Sequence, residues 1–350
     1  MSAQIQTELD PKPVIRLASS RVVHRVLRRP RVGFVGLGWI GRKRLDALAD
    51  EIEVAALVDN DTHRLNAAST SYPDAIATKD LDRMLGEDLD GVVIATPNGL
   101  HAAQAVACLE RGLAVFCQKP LATTLRDVGR IIDSAQRSDR LLGVDFCYRH
   151  VDGMDELRRR VLSGAIGQIV SIDLTFHNAY GPDKAWCQNR TLAGGGCMMD
   201  LGVHLLDLAL WLQGMPCMER VRSRIFAQGA PVCGDAMEDL AYAEFIQANG
   251  AMVRLACSWH AHIGQPAMIQ VALSGTRGGA LWNNVAGSFY DFELRMFRGT
   301  ECERLGSHPD DWGPRALRQW LCQLQIDAGF DAAAEDYLRS AALIEEVYRA

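Results

Sequence analysis

The feature that most constrains this chain is a glycine-spaced turn set between a buried strand and a helix. Val32-Gly-Phe-Val35 is a short apolar run; Gly36-Leu-Gly-Trp-Ile-Gly41 follows it at once, and residues 42–50 have a helical pattern. A second apolar run, Val54 to Val58, ends on Asp59. Each glycine has its own task in such a unit. Gly36 permits the tight turn, Gly38 lets the backbone approach a pyrophosphate, and Gly41 lets helix and strand pack closely. The helix N-terminus offers unsatisfied N–H groups to the phosphates. Asp59 is placed to accept hydrogen bonds from the ribose hydroxyls and would repel a 2′-phosphate. The expected cofactor is therefore NAD, with NADP disfavoured, although Arg42, Lys43 and Arg44 lie close by in sequence.

The alternation of short apolar runs and helical segments continues. Residues 91–95, 114–117 and 141–145 read as strands, and 100–111 and 124–137 as helices. This is the pattern of βαβ units, whose parallel sheet is covered on both faces. After about residue 148 the rhythm changes. A helix (152–162) and a strand (169–176) lead to a helical stretch over 198–212, with Leu201, Leu205, Leu208 and Leu212 on one face. Strand-like runs then follow at 219–228, 237–247, 251–260, 267–274 and 278–283, and the chain ends in helices over roughly 314–326 and 331–348. The expected fold class is α/β. A Rossmann dinucleotide-binding domain (31–147) precedes an α/β domain with a large, mostly antiparallel open sheet (148–350). Residues 1–30 form an N-terminal extension. Its arginines suit a transit peptide, but Glu8 and Asp10 favour an arm that is disordered or lies across a neighbouring surface.

Three segments bear on chemistry. Thr96-Pro97-Asn98, with His101 one turn later, and Gln118-Lys119-Pro120 both follow strands, at the carboxyl ends where open α/β sheets bind ligands. The third is Gly194-Gly-Gly-Cys-Met-Met-Asp200-Leu-Gly-Val-His204. Asp200 and His204 are four residues apart and share one helix face, away from the leucines. A histidine can take a hydroxyl proton, and a carboxylate can orient or charge it.

Together the GLGWIG turn, ATPNGLH, the QKP segment, SGAIGQI (163–169) and GGGCMMDLGVHLLD resemble the glucose–fructose oxidoreductase, inositol dehydrogenase and MocA family, in the right order from Arg31 onward. The resemblance implies an NAD-dependent oxidoreductase acting on a secondary hydroxyl of a sugar, sugar derivative or cyclitol. It also implies that the 148–350 domain binds substrate and that its open sheet supplies an oligomer interface. It carries Lys119, Asp200 and His204 over as the catalytic group, with His204 as acid/base and Lys119 binding the reacting hydroxyl and the cofactor ribose. Gly36, Gly38, Trp39, Ile40, Gly41, Asp59, Thr96, Pro97, Asn98, His101, Gln118 and Lys119 become the cofactor-binding residues. Gln118 departs from the family's usual Glu, and an amide is neither a charge nor a base. Tyr148, Arg149, Trp186 and Arg190 are expected to line the substrate pocket.

Other classes recede on composition. A net charge of −6 does not suit a phosphate backbone, and no uninterrupted apolar run reaches the roughly 20 residues of a membrane span. The ten cysteines include no C-x-x-C, and the histidines of Trp259-His-Ala-His262 have no third ligand, so no metal site is expected. With no apolar signal core at the start, a reducing cytoplasm is the expected location. Apolar residues on both faces of the later strands (Met252, Leu255, Ala256, Trp259) suggest a homodimer or homotetramer. The alternatives are a redox-neutral, NAD-using glycosidase and a non-catalytic NAD-binding sensor or regulator.

Overall fold

The computed structural model describes residues 28–350; all but the last three residues of the N-terminal extension lie outside it. Among the described residues there are two sheets. The first contains β1 (Arg31–Val35), β2 (Glu53–Val58), β3 (Ile76–Thr78), β4 (Gly91–Ile94), β5 (Ala114–Cys117) and β6 (Leu142–Val144). Its order is β3-β2-β1-β4-β5-β6, and every pairing is parallel. The helices α1 (Trp39–Leu48), α2 (Thr62–Ser71), α3 (Leu81–Met84), α4 (Asn98–Glu110) and α5 (Leu125–Ser138) connect the strands. β4 and β5 are buried at every position, as their unbroken apolar sequences require of strands covered on both faces. The strand order reverses between β1 and β4, which opens a crevice at their carboxyl ends.

The second half begins with α6 (Met154–Leu162), β7 (Ile169–Asn178) and the short α7 (Arg190–Ala193). A π-helical turn, Met198–Gly202, leads into α8 (Val203–Leu212). Then come β8 (Met218–Ala227), β9 (Ala230–Pro231), β10 (Leu240–Gln247), β11 (Met252–Ser258), β12 (Ala267–Gly275), β13 (Gly279–Asn284), β14 (Phe292–Arg298) and β15 (Glu301–Gly306). With β7 they form a nine-stranded sheet, ordered β15-β14-β13-β12-β7-β11-β10-β8-β9. β7 and β11 are parallel; the other neighbours are antiparallel. Ile172, Leu174 and Phe176 of β7 are buried and alternate with half-exposed Ser171, Asp173 and Thr175, so one face packs on helices and the other stays open.

The structure refines the expected fold in four places. The 198–212 helix opens with a π turn rather than α geometry. The β14–β15 hairpin extends the sheet beyond the strand runs read from the sequence. Apolar residues do lie on both faces: Leu255 and Trp259 are buried, while Met252 and Ala256 share the open face with the Arg254–Asp173 ion pair. Finally, the 148–350 segment is not one body. After the nine-stranded sheet, α9 (Arg315–Ile326) crosses back and packs Leu317, Trp320 and Leu321 with Phe34, Val93 and Phe116 of the first sheet. A Cβ on Gly91 or Gly143 would lie 2.7 or 2.8 Å from the Trp320 indole, so those strand glycines make room for it. The last helix, α10 (Tyr337–Arg349), packs against α5, α8 and β8. Among the described residues, the helical stretch Arg190–Leu212 is long and apolar enough to cross a membrane, but 89% of its most apolar window is buried inside the protein.

Candidate active site

A cleft of about 1630 Å³ runs along the carboxyl ends of β1, β2, β4 and β5 and under the second half of the chain. Gly36, at φ +90°, makes the turn after β1; a Cβ there would lie 2.6 Å from the Ala95 carbonyl. Gly41 is pressed against Gly36, with its notional Cβ 1.9 Å from the Gly36 oxygen. Around Gly38 there is open space, apart from the Arg64 guanidinium at 3.9 Å. No side chain caps α1 at Gly38, so its first N–H groups are left for an anion. Asp59 is buried at the end of β2. Its Oδ2 accepts from the Leu37 N–H at 2.7 Å and its Oδ1 from the Asp61 N–H at 2.8 Å, which fixes the glycine turn and leaves lone pairs for ribose hydroxyls. These features fit a dinucleotide. None of the three cations of 42–44 reaches Asp59: Arg42 pairs with Asp46, Arg44 with Asp145, and Lys43 lies over Trp39 and Tyr290. The nearby cation is Arg64, 3.9 Å from Asp59.

Lys119, Asp200 and His204 all line this cleft. The Lys119 ammonium donates to the Asp200 carbonyl at 2.7 Å and to its carboxylate Oδ1 at 3.0 Å. The second carboxylate oxygen accepts from the Trp259 indole N–H at 3.2 Å. Asp200 therefore orients the lysine, not the histidine. Its main-chain carbonyl belongs to the π turn, a geometry that recurs at functional sites. His204 has a buried Nδ1 with no partner, and its ring packs on Tyr148 at 4.9 Å. Burial, with the charges of Lys119 and Arg44, holds its pKa well below the usual histidine range, so the ring is neutral at ordinary pH.

The three glycines before this helix are explained by what lies under them. Gly194 has φ +85°; a Cβ on Gly195 would meet the Tyr348 hydroxyl at 2.0 Å, and one on Gly196 the Glu238 carbonyl at 1.9 Å. Glu238 is fully buried, accepting from the Met198 N–H at 3.1 Å and from the Tyr348 hydroxyl at 2.7 Å. It anchors the start of the π turn.

Gln118 donates from its amide to Asp145, which also accepts from Arg44 Nε at 2.7 Å. A glutamate at 118 would face a like charge; the amide fits because the carboxylate is already present at 145. Thr96, Pro97, Asn98, Trp39, Ile40, Tyr148 and Trp186 line the cleft. His101 does not. It is buried between the Pro120 carbonyl (2.9 Å) and the Thr96 carbonyl (2.8 Å) and joins the two strand-end loops. Arg149 and Arg190 also lie elsewhere. Arg149 pairs with buried Asp207, a carboxylate on the inner side of α8 that needs a cation, and Arg190 donates to the Ala236 carbonyl at 3.2 Å. Sequence reasoning missed Trp259, Asp145 and Arg44 as parts of the site. Asp145 follows β6, so the strand-end rule that found Lys119 would have found it; nothing local links Trp259 to Asp200.

Two family models match the chain. Residues 30–146 match an oxidoreductase family with an NAD-binding Rossmann fold, and residues 154–281 match the GFO/IDH/MocA C-terminal domain. The D-glucoside 3-dehydrogenase of Escherichia coli K12 is 26% identical over 71% of this chain and 76% of its own length. The rhizopine catabolism protein MocA of Rhizobium meliloti is 27% identical over 77% and 80%. Among solved structures, a levoglucosan dehydrogenase complex with NADH shares the fold, with a TM-score of 0.79 at 20% identity, covering 92% of this chain and 96% of that one. The two models together span well over half of the sequence, and the chain belongs to the GFO/IDH/MocA oxidoreductase family, with an NAD-binding Rossmann domain.

Proposed function

We propose that the chain oxidises a secondary hydroxyl of a sugar, sugar derivative or cyclitol, or reduces the corresponding ketone. The observation that carries this reading is a neutral, unpartnered His204 in the same cleft as an ammonium held in place by a carboxylate. When bound, NAD supplies the hydride acceptor. The glycine turn and Asp59 hold its phosphates and ribose, and Lys119 meets the reacting hydroxyl. The Lys119 ammonium stabilises the developing alkoxide, while His204 takes the proton. Asp200, held by Trp259, keeps the ammonium aimed. In the reverse direction the protonated imidazole returns the proton to the carbonyl oxygen. The names of the relatives, a glucoside dehydrogenase among them, support a polyol or sugar substrate.

A panel of inositols, sugars and sugar acids assayed for NADH formation tests this. A member oxidised with NAD supports it, and retained NADH without net turnover would point to redox-neutral chemistry. Tighter binding of NADP than of NAD would overturn the role given to Asp59. The open sheet face, with Tyr242 and Met268 exposed on it, is proposed as the contact of a symmetric dimer or tetramer. A monomer in light scattering at micromolar concentration would refute that.

A further inference from the structure

The chain uses lysine sparingly: five lysines against thirty-two arginines. All four lysines among the described residues, Lys43, Lys79, Lys119 and Lys184, line the one cleft. Two have local explanations. Lys119 is held by Asp200, and Lys79 follows Thr78, the β-sheet neighbour of Val58, which puts it at the ribose end beside Asp59.

Lys79 itself has no ion pair among the described residues, but Lys43 and Lys184 lack both an ion pair and a place at the ribose end. Among the described residues neither has a carboxylate oxygen within 4.0 Å; both rest on aromatic faces. The Lys43 ammonium lies 5.2 Å from the Trp39 ring centroid and 4.7 Å from that of Tyr290, and Lys184 lies 5.8 Å from Trp39. Aromatic faces hold an ammonium without neutralising it. Trp39 and Tyr290 are 58% and 51% exposed, so the cluster stands at the cleft mouth. Asp183 and Asp311 also line the cleft without an ion pair, but neither meets these two ammonium groups. Lys43 comes from α1 and Lys184 from the loop after β7, so the two charges reach the mouth from opposite halves of the molecule.

We propose that the substrate carries an anionic substituent, a carboxylate or a phosphate, that seats between Lys43 and Lys184. The proposal rests on the sugar-dehydrogenase reading of the same cleft and narrows it to acidic or phosphorylated sugars. The anion would bridge the two halves of the chain and place the neutral end of the sugar toward Lys119 and His204.

The small lysine count makes the test direct. Reductive dimethylation with carbon-13 keeps the charge on each lysine and yields one NMR signal per side chain, assigned by Lys43→Arg, Lys184→Arg and Lys119→Arg variants. The full chain loaded with NAD is titrated with glucose, glucuronate and glucose 6-phosphate. The expected result is that glucuronate or glucose 6-phosphate moves the Lys43 and Lys184 signals while glucose does not; which of the two acts separates carboxylate from phosphate. In unlabelled protein, Lys43→Gln with Lys184→Gln should weaken binding of the active probe about tenfold or more, as loss of a charge-assisted hydrogen bond implies. The proposal is overturned if glucose moves both signals equally, if no probe moves them, or if NAD alone moves them and the probes add nothing. That last result would assign both lysines to the coenzyme. Lys119 reports on the catalytic reading separately: a Lys119 signal that ignores every probe while Lys43 and Lys184 respond would remove that reading and leave the anion site standing.

Discussion

Two histidines, His101 in the first turn of α4 and His204 in the first turn of α8, sit in similar places but in different surroundings. Burial lowers the pKa of both. His101 has a carbonyl oxygen against each ring nitrogen and faces no cleft, so its polarity is spent joining the loops that carry Thr96 and Lys119. His204 keeps a buried nitrogen without a partner and lines the cleft. Residue type, burial and helix position do not distinguish them. Under the proposed reading, a structural histidine and a chemical one are told apart by whether the ring lines the cleft and whether its hydrogen-bonding capacity is already used.

Substitutions can break that contrast. His204→Ala should lower the rate of hydride transfer in stopped flow by about 10²–10⁴-fold, the usual share of a general base, with coenzyme affinity nearly intact. His101→Ala should instead cost about 1–3 kcal/mol of stability in denaturant titration, because the buried carbonyl that accepts the ring N–H loses its donor, with a smaller loss of turnover. Equal losses of turnover in the two variants would end the distinction. The pH profile sharpens it further. His204 must be neutral to accept a proton, so kcat/KM should fall only as the pH drops through a value well below the ordinary 6.5 or so. Lys119→Met removes one repelling charge and should move that acid limb upward. For stability the two histidines act alike. Each binds a proton more readily when unfolded, so their contribution is whole above about pH 6.5 and is lost as the pH falls toward the depressed folded values. The smallest effect is expected for Gln118→Glu. The new carboxylate beside Asp145 should lower the thermal midpoint at neutral pH, and the deficit should shrink in acid; each unit of raised pKa corresponds to about 1.4 kcal/mol.

Much of the fold was legible because the relevant signals are local. The glycine turn, the apolar runs of β1, β4 and β5, and the leucine stripe of α8 are each set by neighbours within a few residues. β3 is three residues long and β15 is an almost wholly exposed, charged edge strand, so neither carries a pattern of its own. Lys119, Asp200 and His204 line one cleft, each placed there by a strand end or a helix turn. Arg149 and Arg190 do not join them, because a guanidinium near a pocket in sequence is equally able to satisfy a buried carboxylate or a carbonyl. The Trp259–Asp200 contact joins β11 to the π turn across 59 residues, and no spacing rule reaches that far.

The return of α9 to the first sheet has a consequence for how this protein can be divided. A cut after residue 147 yields the segment that carries the whole glycine turn and every strand of the nucleotide-binding sheet, and so looks like a complete module. It would nevertheless lack one wall. The grooves over Gly91 and Gly143 would open to water where Trp320 now sits, and Phe116 would lose its ring neighbour 5.8 Å away. Separability along the sequence and separability in space are different properties here. The nucleotide-binding half of this enzyme is finished by residues that the chain supplies only after the nine-stranded sheet has been built.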